Sequence, residues 1–184
     1  MRSPFAWPNI SKPLCAPFSH APLFRNDEEK DTLEIRPILP EDFSELLSLC
    51  SEHAAYEGSV ISESDQATHW SSAFFGAPPQ LHGWVCDEGT AAPGTLRGYM
   101  TAQVAISTWS ARPYVFLDCI YLKPEVRRLG IGRSMILRLI EFAREHGCRE
   151  IQWQTILSNQ IAKAFYSSLG AIPVTKTRWT LSAA

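Results

Sequence analysis

The sequence predicts an α/β (α+β) fold, a mixed sheet flanked by helices, on three observations. Apolar spacings of period two and period 3.6 follow one another along the chain in the order β-α-α-β-β-β-α-β-α-β. Three strand patterns run consecutively in the middle, and the last of them hands over to a long amphipathic helix through a glycine-bearing loop. The 184 residues, 45% of them hydrophobic, are enough for one domain with a sizeable core. No internal repeat is present.

Residues 1–31 stand apart. Pro4, Pro8, Pro13, Pro17 and Pro22 are too closely spaced for a helix or a central strand, so this Pro-rich N-terminal stretch is expected to be an extended or partly disordered extension ending in the charged linker RNDEEKD. The domain is expected over 32–184. TLEIRPI is a short alternating strand. Pro40 opens a helix with apolar residues Phe43, Leu46, Leu47, Leu49 and Cys50, ending near Tyr56–Gly58. A second helix is predicted in SESDQATHWSSAFFG, with Ser62 as N-cap, Asp65 three residues on, and Gly76 as its stop. LHGWVCD, LRGYMTAQVAI and YVFLDCIYL read as strands, the first two separated by the turn EGTAAPGT. A helix follows from Ile131 to His146, with Ile131, Met135, Leu139, Phe142 and Ala143 on one face and Gly147 as terminator. REIQWQTI is a strand, NQIAKAFYSSLG a helix and TKTRWTL a closing strand.

The net charge of −2 and the pI near 6.2 argue against a general nucleic-acid binder. The charge is unevenly spread. From Glu41 to Asp118 ten acids face only Arg97 and Arg112, whereas from Lys123 to Arg149 seven basic residues face three acids. One region suits a cationic partner and the other an anionic one. Five scattered cysteines without a C-x-x-C pair fit reduced thiols in a cytoplasmic protein, and no apolar run reaches membrane-spanning length. The N-terminus has no continuous apolar stretch of the kind a secretory signal needs. His20, His53, His69, His82 and His146 show no metal-ligand spacing, so no metal is expected. Cys119 has neither a partnering His motif nor a nucleophile elbow, which argues against covalent catalysis.

The informative stretch is LDCIYLKPEVRRLGIGRSMILRLIEFAREHG. The first turn of a helix leaves backbone N–H groups unpaired and carries partial positive charge, which suits a phosphate. Gly130 and Gly132 let the backbone approach an anion, and Arg127, Arg128 and Arg133 add charge around it. A dinucleotide fingerprint would need glycine where Met135 stands, and the Gly-Lys-Ser/Thr of a P-loop is absent. Arg127-x-x-Gly130-x-Gly132 between strand and helix resembles instead the acetyl-coenzyme A signature of the GNAT superfamily of N-acetyltransferases. NQIAKAFYSSLGA resembles that family's second signature, with Asn159, Ala162, Phe165, Tyr166 and Gly170 in the expected places. The likeness covers about residues 32–182 and implies the GNAT fold, a mixed, mostly antiparallel central sheet.

Within the superfamily, IRPILPEDFSELLSLCSEHAAYE, LDCIYL and Trp179 look most like the diamine (spermidine/spermine-type) N-acetyltransferases. Gly58-Ser59 after Tyr56-Glu57, and Asp118-Cys119 in place of Glu-Asp, depart from that pattern. These departures bear on a polyamine acceptor, not on a small cationic amine. The resemblance implies acetyl-CoA as co-substrate, its pantetheine arm along Ile120, Tyr121 and Leu122 and near Asn159. Its diphosphate is then expected on the loop Arg127, Arg128, Leu129, Gly130, Ile131, Gly132, Arg133. A homodimer is also a family expectation.

Acyl transfer to an amine makes three demands. An alkylamine with a pKa of about 10.4 is neutral in roughly one molecule in 2,500 at pH 7, a cost of about 4.6 kcal/mol. A nearby carboxylate attracts the cation and relays its proton through water; Asp118 is the first choice as base, and Glu57 the second, for recognition. A strand N–H near Ile120 is the family's donor to the developing oxyanion. The departing thiolate benefits from a proton, and Tyr166 matches the family's tyrosine acid. Trp109, in the STWSAR turn, is a candidate lining for the acceptor. Alternative readings are another acyl-CoA, an amino-acid or natural-product amine acceptor, and a non-catalytic sensor of CoA thioesters.

Overall fold

A computed structural model describes residues 33–61, 66–89 and 95–183. The expected N-terminal extension, and the Ser62 cap with its Asp65 partner, lie outside the described residues. Five strands form one sheet in sequence order: β1 (Glu34–Pro37), β2 (His82–Asp87), β3 (Leu96–Ser107), β4 (Arg112–Leu122) and β5 (Ile151–Gln152). The first three pairings are antiparallel and the last, β4 with β5, is parallel. The helices are α1 (Phe43–Tyr56), α2 (Gln66–Phe75), α3 (Ile131–Glu145) and α4 (Gln160–Ser168). A parallel neighbour needs a crossover connection, and α3 supplies it between β4 and β5.

Strand alternation divides the core into two layers. On one face Val85, Leu96, Tyr99 and Tyr121 pack with Ile38, with Leu46 and Leu49 of α1 and with Phe74 of α2. On the other, Trp84, Met100, Ala102, Val115 and Leu117 meet Met135, Ile136, Leu139, Phe142 and Ala143 of α3. That stripe of α3 has the spacing of a single helical face, and each of its larger side chains stabilises the fold by about 1.5–3 kcal/mol on burial. Gly147 ends α3 in the left-handed region at φ 67°, where its N–H bonds Arg144 O at 3.0 Å and that of Cys148 bonds Ala143 O at 2.8 Å. Beside β1, Arg36 bridges two buried carboxylates, at 2.7 Å from Asp42 and 2.7 Å from Asp87. Burial pushes the Asp87 carboxyl up, but hydrogen bonds from Arg36 and Thr95 outweigh it and hold Asp87 below the ordinary range.

Two expectations need correction. β5 is only Ile151–Gln152, not the eight residues of REIQWQTI, and residues 171–183 form no regular element where a closing strand was predicted. The alternating pattern of TKTRWTL favours extended backbone, but a strand also needs a partner edge, and none within this chain pairs with it among the described residues. Trp179, in that segment, is consequently 89% exposed.

Candidate active site

β4 changes register against β3 between its two halves. Ala102 pairs with Leu117 and Thr101 with Cys119, so Asp118 is the extra residue of a β-bulge. The bulge inverts side-chain parity: Val115 and Leu117 face α3, and beyond it Ile120 and Leu122 do. It inverts the amides as well. Val115 N–H bonds Glu150 O at 3.0 Å, toward β5, while Lys123 N–H bonds Arg97 O at 2.8 Å, toward β3. Alternating back from Lys123, the N–H groups of Leu122 and Ile120 face away from β3. Among the described residues no strand meets them there, because β4 and β5 pair only at Val115–Ile151 and Phe116–Gln152. The second half of β4 therefore presents an open hydrogen-bonding edge.

That edge leads into the loop before α3. Arg128 at φ 63° and Gly130 at φ 87° both occupy the left-handed region, which costs a side-chain-bearing residue about 1–2 kcal/mol. The first N–H of α3 to bond back is that of Ser134, to Gly130 O at 3.1 Å; those from Arg128 to Arg133 have no backbone acceptor among the described residues. A Cβ placed on Gly130 would meet nothing within 4 Å, whereas one on Gly132 would lie 3.3 Å from Phe165 of α4. Open space before a turn of unpaired amides fits a diphosphate. Leu129 projects outward at 64% exposure, Ile131 is half-buried against the core and Arg133 is exposed. Arg127 is used differently from its neighbours. Its Nε donates to Leu122 O at 2.9 Å and its guanidinium lies over the Tyr56 ring at 4.7 Å and the Tyr121 ring at 5.5 Å.

The acidic half of the chain comes to the same place from the other face. At the end of α1, His53 stacks on Tyr121 with ring centroids 5.1 Å apart, its Nδ1 lies 2.8 Å from the Tyr99 hydroxyl, and its Nε2 lies 3.7 Å from Glu57 Oε1. Burial lowers the His53 pKa below the ordinary imidazole value, with a contribution from Arg127 and against the pull of Glu57 and Asp118. On β4, Cys119 Sγ donates to Asp118 Oδ2 at 3.8 Å. Burial and the Asp118 charge push the Cys119 thiol up to about 12, so it keeps its proton. Tyr166, on α4, packs against Trp153 just beyond β5, ring centroids 5.0 Å apart. Burial, reinforced by the Glu57 charge, pushes its phenol up to about 12.

The structure thus gathers Glu57, Asp118, Ile120, Tyr121, Leu122 and Tyr166 around the place where β4 leaves β5. Asn159 caps α4, its Oδ1 accepting from Ala162 N–H at 3.0 Å. Trp109 is not gathered with them: it sits in the turn of the β3–β4 hairpin, before the six residues of β4 that run from Arg112 to the bulge, on the order of 20 Å away. The sequence did not point to the placement of His53 and Tyr99 beside this site. The i, i+4 spacing of His53 and Glu57 on one helix face was the available signal for the first.

Comparison with known proteins gives the following. The description "Acetyltransferase (GNAT) family" matches residues 40–171. The thialysine N-epsilon-acetyltransferase of Bos taurus is 32% identical over 149 residues, 77% of this chain and 85% of that protein. That of Caenorhabditis elegans is 26% identical over 155 residues, 78% of this chain and 86% of its own. Among solved structures, an aminoglycoside N-acetyltransferase AAC(6')-Iy in complex with CoA superposes with a TM-score of 0.61 at 18% identity, over 82% of this chain and 100% of that one. A probable acetyltransferase reaches 0.68 at 17% identity, over 82% and 98%.

Proposed function

Because this chain belongs to the acetyltransferase (GNAT) family and is an acyltransferase, we propose that it moves acetyl from acetyl-CoA to the primary amine of a small cationic acceptor, by direct attack in a ternary complex. The observation that carries this reading is the continuity of the open β4 edge with the unpaired amides before α3, with Tyr166 beside the opening. Acetyl-CoA supplies the activated acetyl group when bound. The edge at Ile120, Tyr121 and Leu122 and the capped end of α4 at Asn159 would hold its pantetheine arm. The amides of the 127–133 loop would hold the diphosphate, with Arg128 and Arg133 as the nearby charges. Arg127 contributes by fixing the end of β4 through Leu122 O.

Ile120 N–H, facing the open edge, is the donor for the developing oxyanion. Tyr166 is the acid for the departing thiolate: a phenol near 12 remains protonated throughout the working range. Glu57 attracts the ammonium and Asp118 is the base; both are solvent-exposed carboxylates on the acceptor side. The relatives named thialysine N-epsilon-acetyltransferases support an acceptor whose amine ends a short chain, including an amino-acid derivative. Trp109 would join the acceptor only from outside this cluster. No group of three possible ligands for a metal occurs among the described residues, and the chemistry proposed needs none.

A homodimer is part of the proposal, because the exposed 171–183 segment, with Ile172, Val174, Trp179 and Leu181, has the makings of a contact surface. The free thiols of Cys50, Cys86, Cys119 and Cys148 support a cytoplasmic setting. No described helix is long and apolar enough to cross a membrane. A thiol-release assay over a panel of diamines, polyamines and amino-acid amines, each with several acyl-CoA donors, tests the reading. Turnover with acetyl-CoA and a small cationic amine is expected. CoA binding without thiol release from any pairing would leave a thioester sensor in its place.

A further inference from the structure

Resting on that reading, we propose that Tyr56 is a positioning residue for the transfer. Its ring clamps Arg127 and so holds the end of α1, where Glu57 meets the amine, against the end of β4, where the thioester lies. The two reacting partners are brought by different elements. Glu57 follows directly on α1, its N–H bonded to His53 O at 3.0 Å, so its place is that of the last turn of the helix. The open edge belongs to β4, which is hydrogen-bonded to β3. Side chains join the helix end to the strand end.

The peptide between Leu122 and Lys123 is where they meet. Its N–H points toward β3 and bonds Arg97 O at 2.8 Å. A trans peptide sets C=O opposite N–H, so Leu122 O points to the open edge. Arg127 Nε donates to that oxygen at 2.9 Å. The peptide that ends the edge is therefore gripped from both sides, by β3 on one and by Arg127 on the other. Arg127 is itself held by rings. Its guanidinium carbon lies 4.7 Å from the centroid of Tyr56 and 5.5 Å from that of Tyr121. Tyr121 is part of β4 and moves with it, whereas Tyr56 is the last residue of α1. The Tyr56 ring is thus what ties the helix to the edge.

Other contacts run alongside. Glu52 accepts from the Tyr121 hydroxyl at 3.3 Å and pairs with Lys123 Nζ at 3.5 Å, and His53 stacks on Tyr121. These end on side chains, which turn about their own bonds. The Tyr56–Arg127 contact ends on Leu122 O, a backbone atom of the edge itself. A cation is attracted to the face of an aromatic ring, so phenylalanine at position 56 serves as tyrosine does and alanine does not. Loss of the clamp spares affinity, because each substrate keeps its own contacts: the loop amides for the diphosphate and Glu57 for the ammonium. It costs rate, since a misplacement of about 1 Å between reacting groups is worth about 10²-fold.

The test compares wild type, Tyr56→Ala, Tyr56→Phe, Arg127→Lys and the Tyr56→Ala/Arg127→Lys double variant in single-turnover acetyl transfer. The acceptor is whichever amine of the diamine, polyamine and amino-acid panel turns over fastest, and the CoA dissociation constant is measured by calorimetry. Tyr56 is 46% exposed, so its replacement does not open the core. Tyr56→Ala is expected to lose about 30–100-fold in rate, with CoA affinity and the half-saturating amine concentration changed by about threefold or less. Tyr56→Phe should stay within about threefold of wild type. Arg127→Lys keeps the charge but not the planar Nε–H, and should lose about as much as Tyr56→Ala. The double variant should lose no more than the worse single one, because Tyr56 acts through Arg127. In the enzyme without substrates, exchange of the Lys123 amide followed by NMR should quicken about tenfold in Tyr56→Ala and not in Tyr56→Phe. A full rate in Tyr56→Ala, an equal loss in Tyr56→Phe, single losses that multiply in the double variant, or a loss confined to CoA affinity overturns this role and leaves the enzyme standing. A wild type that acetylates no amine takes down the functional reading, and this role with it.

Discussion

Gly130→Val separates backbone recognition of a diphosphate from recognition by arginine side chains. Gly130 holds φ 87°, and a Cβ there meets no atom within 4 Å, so the substitution creates strain and occupies the open space without colliding with the protein. A side-chain-bearing residue in the left-handed region costs about 1–2 kcal/mol, and a β-branched one sits at the high end. If the loop relaxes to relieve that strain, it must be driven back to present its amides, weakening binding roughly 5–30-fold. Gly147→Val is the control. It carries the same kind of strain, φ 67° with nothing within 4 Å, at the other end of α3. Both variants should lose similar thermal stability, but only Gly130→Val should lose CoA affinity, by about tenfold or more in calorimetric titration. Arg128→Ala, which keeps the strained φ of 63° and removes only an exposed charge, should lose about threefold or less. Equal small losses for Gly130→Val and Arg128→Ala would refute the placement of the diphosphate.

Three further outcomes follow from the same geometry. Tyr166→Phe should cut turnover by about 10²-fold or more while CoA affinity is unchanged, and wild-type activity should show no alkaline loss from this phenol until about pH 12. Arg36→Leu leaves Asp42 and Asp87 buried without their shared cation and should destabilise the fold by about 3–5 kcal/mol, read by urea unfolding. Burial lowers the His82 pKa, helped by His146, so the unfolded chain binds the proton more readily than the folded one. The stability this gives is complete above the ordinary imidazole range and is lost as pH falls from there through the folded pKa. His82→Gln should therefore flatten part of the acid side of the stability profile.

Much of the fold was legible because its elements carry strong periodic signals. The α3 stripe and the glycines that bracket it are local, as are the β2–β3–β4 strands, and the two signatures that resemble the GNAT superfamily lie on these elements. The expected strand at 175–181 was not legible, because TKTRWTL states a backbone preference and says nothing of whether an edge is free to receive it. Arg127 likewise reads as a phosphate ligand beside Gly130. Its use depends on where Leu122 O points, a consequence of the bulge three residues before Tyr121.

By itself the sequence determined the order of elements as far as α4, the glycine at the start of α3, the family, and the separation of an acidic half from a basic one. Tertiary structure alone decided that an extra residue at Asp118 turns Ile120 and Leu122 toward an unpaired edge. It also decided that His53, 46 positions from Tyr99 in the chain, lies 2.8 Å from its hydroxyl. The reason is that periodicity and turn chemistry act over a few residues, whereas a bulge register and a hydrogen bond between distant side chains depend on how separate strands and helices pack.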